Sequence, residues 1–366
     1  MDGENRFITL LGRQLRTPIV LSSMAGITDA AYVLERERHI GAAFIGGYNI
    51  DTPSRDASKK IAACGRKEFD AGSGDIQTEL AMLKETDIIT GLNLRGASPE
   101  AYLEAAKTFG NDIIYEIDAH CRQEAMTAAG CGEALLKDTG RLCAIVKALS
   151  SAGYTVSVKT RAGIVNDRDL AKALWKAGAA ILHVDLMDTG YTRIRQIRNS
   201  CPLILIANNG VDAPDTMMDY FAHGADLISL ARHADLDTLR ALDRYIRATA
   251  DENGWYNAPK QLCRGGDYRS LAFCCMPVKQ CPLLPALDAI GIERPAFTKL
   301  KLNAVGGTPL EQGNSTCFGS LAFCCKTSTP CMFRDMTLKS VKLPKKEYMK
   351  LKRRLSEEIM HQIFHD

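Results

Sequence analysis

No stretch of this sequence stays apolar for the roughly 20 residues that a membrane-spanning helix needs, so no span is expected. A surplus of either charge is missing too. The 46 Lys and Arg residues nearly balance 43 Asp and Glu, for a net charge of +3, which gives no strong argument for nucleic acid or a membrane surface. The opening MDGENRFITLLGRQ carries acidic residues where a secretory leader would be basic, and it has no cleavage-type ending. The chain therefore reads as cytoplasmic. There is no G-x-G-x-x-G after the first apolar run, which lowers a dinucleotide-binding reading. Cysteine, by contrast, is plentiful: thirteen in 366 residues. In a reducing compartment these are unlike structural disulfides. Five are scattered (Cys64, Cys121, Cys131, Cys143, Cys201), and eight crowd between Cys263 and Cys331. Crowding of that kind argues for a metal or an iron–sulfur cluster.

Short apolar runs recur along the first two-thirds, each followed by a polar or Gly-containing break and then a helical pattern. The predicted strands are Pro18–Leu21, Ala42–Ile45, Ile88–Leu92, Ile113–Ile117, Thr155–Val158, Ala180–Val184, Leu203–Ala207 and Leu227–Leu230. Between them, Pro99–Phe109 reads as a helix capped by Ser98. Asp167–Ala177 reads as one that stops at Gly178. Eight β-α units in about 240 residues match the size and count of a (β/α)8 TIM barrel in the α/β class. A doubly wound open sheet is the alternative. The expected organisation is a barrel over 1–250, a small cysteine-rich metal-binding domain over 251–335, and a C-terminal helix over 336–366. The hydrophobic fraction of 46% supports a sizeable core.

One stretch stands out chemically. Ile113–Ile117 is an apolar run suited to a strand buried on both faces, and Asp118, His120, Cys121 and Arg122 follow it within five positions. In α/β folds a strand that ends in reactive polar side chains is where chemistry is placed. The plainer reading is a loop with an idle thiol. The other strand ends are also rich. Ser23-Met24-Ala25-Gly26-Ile27-Thr28-Asp29 offers small residues for close approach to a flat ligand. Asn93-Leu94-Arg95-Gly96 follows the third strand, and Lys159-Thr160-Arg161-Ala162-Gly163 the fifth. His183, Asp185 and Asp188 mark the sixth, Asn208-Asn209-Gly210 the seventh, and Ala231-Arg232-His233 the eighth. Barrels commonly hold a phosphate with their last two loops.

These strand ends, in this order, resemble the tRNA-dihydrouridine synthase family of flavin barrels. Residues 23–29 resemble that family's P-M-A-G-V-T-D, and Asn93-Leu94-Arg95-Gly96 its Q-L-x-G. Ile117-Asp118-Ala119-His120-Cys121-Arg122 stands where the family has I-N-x-G-C-P, and Gly132-Glu133-Ala134-Leu135-Leu136 resembles G-x-A-L-L. Ser157–Gly163 resembles V-K-x-R-x-G, Asn209-Gly210 resembles N-G-D, and Gly224-Ala225-Asp226 with Ala231-Arg232 resembles G-A-D…G-R. The resemblance implies FMN, with Cys121 as the acid that protonates one carbon while hydride reaches the other. Hydride delivery to a conjugated C=C bond needs such an acid. It further implies that Lys159 and His183 contact the flavin and that Asn93 bonds the ring edge. Met24, Ala25 and Gly26 would line the ring, Arg161 would belong to the same wall, and Asn209, Gly210, Ala231 and Arg232 would hold the phosphate. Three departures fall on the substrate side. His120 and Arg122 flank the cysteine instead of Gly and Pro. Asp185 and Leu186 follow His183 without the family's R-T. Val211 replaces the seventh-strand Asp. His120 and Arg122 therefore join Cys121 as candidate catalytic residues, and tRNA is one possible partner.

From residue 251 the rhythm stops and a repeat begins. SLAFCC occurs at Ser270–Cys275 and again at Ser320–Cys325, each with a leading and a trailing cysteine. The first unit offers Cys263, Cys274, Cys275 and Cys281. The second offers Cys317, Cys324, Cys325 and Cys331. Four thiolates complete a [4Fe-4S] cluster or a tetrahedral zinc site. Adjacent cysteines point apart in an extended chain, which favours an iron–sulfur cluster over zinc. Reduced thiols without metal, or ligands mixed between units, stay open. The arrangement resembles the cysteine-rich family called methanogenesis marker protein 9, some members of which carry a flavin-type barrel in front. That implies an archaeal setting tied to methane metabolism and no assured reaction. The tail 344–364 has apolar residues at helical spacing and a basic face. It reads as a packed amphipathic helix, with an acidic partner protein or RNA as the sharper alternative. Three functions follow: an FMN oxidoreductase coupled to metal centres and an electron-transfer partner, a tRNA-dihydrouridine synthase, or a metal-binding assembly protein using the barrel as scaffold.

Overall fold

The computed structural model describes residues 7–69, 75–187, 189–253, 256, 287–288, 290–312, 320–324 and 331–365. Eight parallel strands close into a barrel: β1 Ile19–Leu21, β2 Ala42–Asn49, β3 Ile89–Arg95, β4 Ile114–Asp118, β5 Thr155–Arg161, β6 Ile181–Asp185, β7 Ile204–Asn208 and β8 Leu227–Leu230. β8 pairs with β1 through Ile228↔Ile19 and Leu230↔Leu21, which seals the ring and rules out the open sheet. All eight predicted strands are present. β2, β3 and β5 run three or four residues further at their carboxyl ends than their apolar runs suggest. Asn93, Arg95, Lys159 and Arg161, read from sequence as loop residues, are therefore the last residues of strands. Strand geometry gives each of them a fixed direction that a loop would not.

Helices cover the outside of the ring. Pro99–Phe109 starts at Ser98, whose side chain accepts from the Ala101 N–H, and Asp167–Ala177 ends at Gly178 in the left-handed conformation at φ 97°. Both ends sit where the residue types demand them. A short antiparallel hairpin, Thr9–Leu10 with Arg13–Gln14, precedes β1.

Leu236–Asn253 is the last helix of the barrel. Arg294–Val305, Met332–Ser340 and Lys345–His365 follow it among the described residues. The tail helix runs along Leu236–Asn253 and Arg294–Val305, and it buries Tyr348, Met349, Leu355 and Ile359. Of the apolar positions at helical spacing in the tail, Met349, Leu355 and Ile359 are buried, Leu351 and Ile363 are partly buried, and Tyr348 joins them. Tyr256 ties the two parts together: its hydroxyl donates to the Asp226 carbonyl at 2.7 Å, and its ring lies 5.3 Å from both Phe7 and Phe221. The described barrel and the helices after it share one contiguous apolar core.

No helix among the described residues is long and apolar enough to cross a membrane. Of the eight clustered cysteines, Cys263, Cys274, Cys275, Cys281, Cys317 and Cys325 lie outside the described residues, as does Asp188. Cys324 and Cys331 lie within them, each half-buried and in no disulfide.

Candidate active site at the carboxyl end of the barrel

A cleft of about 750 Å³ opens at the carboxyl ends of the strands. That is the volume range of small-molecule and cofactor sites. Of the fourteen barrel residues singled out from the sequence, twelve line it: Met24, Ala25, Asn93, His120, Cys121, Arg122, Lys159, Arg161, Asn209, Gly210, Ala231 and Arg232.

The thiol is held by its own strand. The Asp118 carboxylate at the end of β4 accepts the backbone N–H groups of His120 and Cys121, both at 3.0 Å. This tight turn presents residue 121 to the cleft. On its other side the Cys121 carbonyl accepts from the Glu133 N–H at 2.8 Å. Gly132 makes that approach possible. It sits at φ 61°, and a Cβ there would lie 2.3 Å from the Cys121 carbonyl oxygen. The glycine of the G-x-A-L-L stretch therefore exists to let the thiol-bearing loop pass. Burial raises the Cys121 pKa above its ordinary 9.0, and the Asp118 carboxylate raises it further, against Arg95 and Arg161. The thiol stays protonated near neutral pH, as a general acid requires. Asp118 itself stays ionised. Burial opposes its charge, but Arg95 Nε at 3.1 Å, His120 and Lys159 hold its pKa below the usual value.

Lys159 is 5% exposed on β5, and among the described residues it has no carboxylate within ion-pair distance. Its ammonium donates to Ser22 Oγ at 2.8 Å and to the Ser23 carbonyl and hydroxyl at 3.2 Å. A buried ammonium that faces a cleft, hydrogen-bonded to neutral groups and within the field of the Glu116, Asp118 and Asp185 carboxylates, suits an electron-rich ligand edge. Arg232, exposed in the last loop, likewise makes no ion pair among the described residues. Together with Asn209, Gly210 and Ala231 it forms the side of the cleft built from β7 and β8. These residues fit FMN: a cation and two glycine- and alanine-bearing loops for the phosphate, and a buried ammonium with small residues from the β1 loop for the ring.

Two of the fourteen do not line the cleft. His183, expected against the flavin, is fully buried beneath the cleft. Its Nδ1 lies 2.8 Å from Glu116 Oε2 and its Nε2 lies 2.7 Å from Ser229 Oγ, so both nitrogens are engaged. Burial lowers its pKa below 6.5 and it remains neutral. Gly26 also stands behind the wall. At φ 66°, with its Cβ position 2.9 Å from the Glu68 carbonyl oxygen, it lets the β1 loop pass under residues 66–69.

Several residues were not singled out from the sequence. Glu116 is fully buried in mid-strand, where it accepts from Asn93 Nδ2 at 2.8 Å and from Ser157 Oγ at 3.1 Å. Burial opposes its charge, but His183, Lys159 and Asn93 hold its pKa below the usual value. Because Asn93 donates its amide N–H to Glu116, its amide oxygen is left as the free acceptor at the wall. An acid inside the apolar run Ile113–Ile117 was the available signal. Arg66, Glu68 and Phe69 also line the cleft, and the Arg95 guanidinium stacks 4.6 Å from the Phe69 ring. No periodicity marks that segment. On the substrate side, His120 Nε2 lies 2.6 Å from Asp185 Oδ2, and Arg161 Nη2 donates to the His120 carbonyl at 3.3 Å. Two of the three departures, His120 and Asp185, thus meet as one pair beside the thiol.

Among the described residues no group of three or more His, Cys, Asp or Glu is placed to hold a metal ion. Comparison with known proteins finds the dihydrouridine synthase family over residues 75–237. An uncharacterized protein of Methanocaldococcus jannaschii, MJ0115, is 47% identical over 107 residues, which are 29% of this chain and 69% of that protein. A second uncharacterized protein of the same organism, MJ0144, is 26% identical over 232 residues, 60% of this chain and 90% of its own length. Among solved structures, DHODH in complex with ferulenol from Eimeria tenella aligns with a TM-score of 0.49 at 12% identity, over 70% of this chain and 87% of that one.

Proposed function

We propose that this chain, which belongs to one family with the uncharacterized protein MJ0115 and is, by its dihydrouridine synthase-like domain, a flavin-dependent oxidoreductase, binds FMN in the barrel cleft and reduces a conjugated C=C bond with Cys121 as proton donor. When bound, the flavin supplies the hydride. Every other part is the work of the chain. Lys159, Asn93, Met24 and Ala25 hold the ring, and Asn209, Gly210, Ala231 and Arg232 hold the phosphate. The raised Cys121 thiol holds a proton at Sγ and gives it to the carbon that the hydride does not reach. In the reverse direction the same sulfur accepts it. His120 and Arg122 flank that sulfur, and the His120–Asp185 pair shapes the substrate side. The observation that carries this reading is the Cys121 thiol, kept protonated by burial and Asp118, in a cleft also lined by Lys159 of the neighbouring strand β5 and by Arg232 after β8.

In the region after the barrel, the proposed ligands are Cys263, Cys274, Cys275 and Cys281 in one unit and Cys317, Cys324, Cys325 and Cys331 in the other, holding iron–sulfur clusters or zinc. A tetrathiolate centre of either kind is anionic. What supports it is the surroundings of Cys324. Lys301, Arg334 and Lys352 are 1–2% exposed and come from three different helices. Lys352 Nζ donates to the Cys324 carbonyl at 2.7 Å, Lys301 Nζ lies 4.9 Å from the Phe323 ring centre, and Arg334, on the helix after Cys331, pairs with Asp335 at 2.7 Å. Buried cationic side chains gathered around Cys324 suit a neighbouring negative centre. The relatives' organism supports a place in the redox chemistry of methane-forming archaea.

Anaerobic purification with an absorption spectrum and metal analysis tests both parts. The expected result is flavin absorbance together with bound iron or zinc. Protein without flavin would overturn the barrel reading, and flavoprotein without metal would overturn the cysteine reading. The second reading, a synthase acting on uridine in tRNA, is favoured by the family match over residues 75–237. It requires dihydrouridine to disappear from tRNA when the gene is deleted, and unchanged tRNA excludes it.

A further inference from the structure

The helix Met332–Ser340 begins directly after Cys331 and leaves its largest apolar side chains in solvent. Met332 is 66% exposed and Met336 is 64% exposed, and they lie one turn apart on the same face. Phe333 adds a ring that is 45% exposed. These are three of the eight large hydrophobic side chains exposed among the described residues, and all three stand on one nine-residue helix. The inward face of that helix is well packed, with Arg334 and Leu338 buried. The helix is therefore seated by its inward face, and these apolar side chains stand on its outward one.

The charge around the strip is one-sided. Residues 331–350 hold six Lys and Arg against two Asp and Glu, a balance of +4 in a chain whose whole balance is +3. The remaining 346 residues therefore sum to −1. Lys339, Lys342 and Lys345 are exposed, and among the described residues none of them makes an ion pair. Asp335, on the helix itself, is held below the ordinary carboxylate range against burial by the Arg334 guanidinium at 2.7 Å, with Lys345 adding a smaller part. An apolar centre with a cationic rim is the complement of an acidic partner with an apolar centre of its own. The same charge disfavours pairing with a second copy of this face, since like rims repel.

We propose that Met332, Phe333 and Met336, rimmed by Lys339, Lys342 and Lys345, form the docking surface for a small acidic electron-carrier protein. This rests on the oxidoreductase reading above: reduction of a C=C bond takes two electrons and two protons, and two docking events of a one-electron carrier supply the electrons while solvent supplies the protons. The carrier is oxidised once in each event. The strip lies next to Cys331, at the edge of the region proposed to hold the metal centres.

The test uses the full chain, purified with its flavin, and an acidic ferredoxin as probe. A basic cytochrome of similar size serves as the control. Titration should give saturable ferredoxin binding that weakens at least tenfold when salt rises from about 50 to 200 mM, and no cytochrome binding. The pair Met332→Ser and Met336→Ser, and separately the pair Lys339→Glu and Lys342→Glu, should each weaken binding at least tenfold while flavin content stays unchanged. Ferredoxin that fails to bind a flavin-loaded chain overturns the docking proposal and leaves the oxidoreductase reading standing. A chain with no flavin overturns that reading instead. Binding that both variant pairs leave intact, binding of the cytochrome as well, or concentration-dependent self-association lost in the Met pair would each overturn the proposal.

Discussion

Two cysteines in this molecule sit in different surroundings. Cys121 stands at the end of β4 with the Asp118 carboxylate holding its backbone, and burial and that charge keep its thiol protonated. Cys324 follows the buried Phe323 in a segment collared by Lys301, Arg334 and Lys352, three cations drawn out of solvent. The side chain is the same and the intrinsic chemistry is the same. What differs is the company each keeps: a carboxylate turn at Cys121, and buried cationic side chains around the backbone of Cys324. The comparison teaches that cysteine content alone says little about function, and that the charges packed beside each sulfur say much more.

The largest effect that would break the comparison is loss of the donor. Cys121→Ala should lower turnover of a reducible acceptor by about 10²- to 10⁴-fold, the usual worth of a positioned acid. Flavin absorbance should be retained, because the ring and phosphate contacts proposed for it come from β1, β3, β5, β7 and β8. Stopped-flow reoxidation of the reduced enzyme by the acceptor is the measurement. A variant that turns over as fast as the parent would leave Cys121 an idle thiol. Cys121→Ser, which keeps a hydroxyl of much higher pKa at the same place, should fall between the two.

That prediction could be written from the sequence, and the reason is physical. The barrel strands are short apolar runs, and their helices carry caps such as Ser98 and Gly178, so both signals are local and survive in one dimension. Cys121 was legible because a strand ended in a burst of polar residues. The network beneath it was not. His183 is joined to Glu116, 67 positions earlier, and to Ser229, 46 positions later. Only ring closure brings those three together, so the carboxylate and hydroxyl that engage both nitrogens of His183 leave no local signal in the sequence. The collar at Cys324 was hidden for the same reason. Lys301, Arg334 and Lys352 look like ordinary basic positions until three helices converge.

The next effect tests the collar. Lys352→Met keeps the length and apolar stem of the side chain and removes its charge. It should lower metal affinity by about 10- to 100-fold, the range for groups just outside a metal's ligands. Lys352→Arg should restore most of that affinity. Competition with a chelator, read by metal analysis, gives the number, and flavin content serves as the internal standard because the barrel cleft is untouched. Equal metal retention in the parent and in Lys352→Met would mean that the buried cations serve only the packing of the helices, and the contrast between the two sulfurs would lose its second half.

The smallest effect separates position from charge at Cys121. Gly132→Ala adds a Cβ that meets the Cys121 carbonyl oxygen at a position where φ is 61°. Strain of this kind costs about 1–3 kcal/mol of stability, which thermal unfolding would detect. It moves the thiol-bearing loop but leaves Asp118, Arg95 and Arg161 in place. The acid must carry its proton to act, so turnover should hold steady through neutral pH and fall only as pH rises past the ordinary thiol value of 9.0, because the folded-state pKa is raised. In Gly132→Ala the plateau should drop while the alkaline fall stays where it was. If the fall moves toward neutral pH with the plateau, then exact burial of the sulfur, and not the neighbouring carboxylate, is what keeps it protonated.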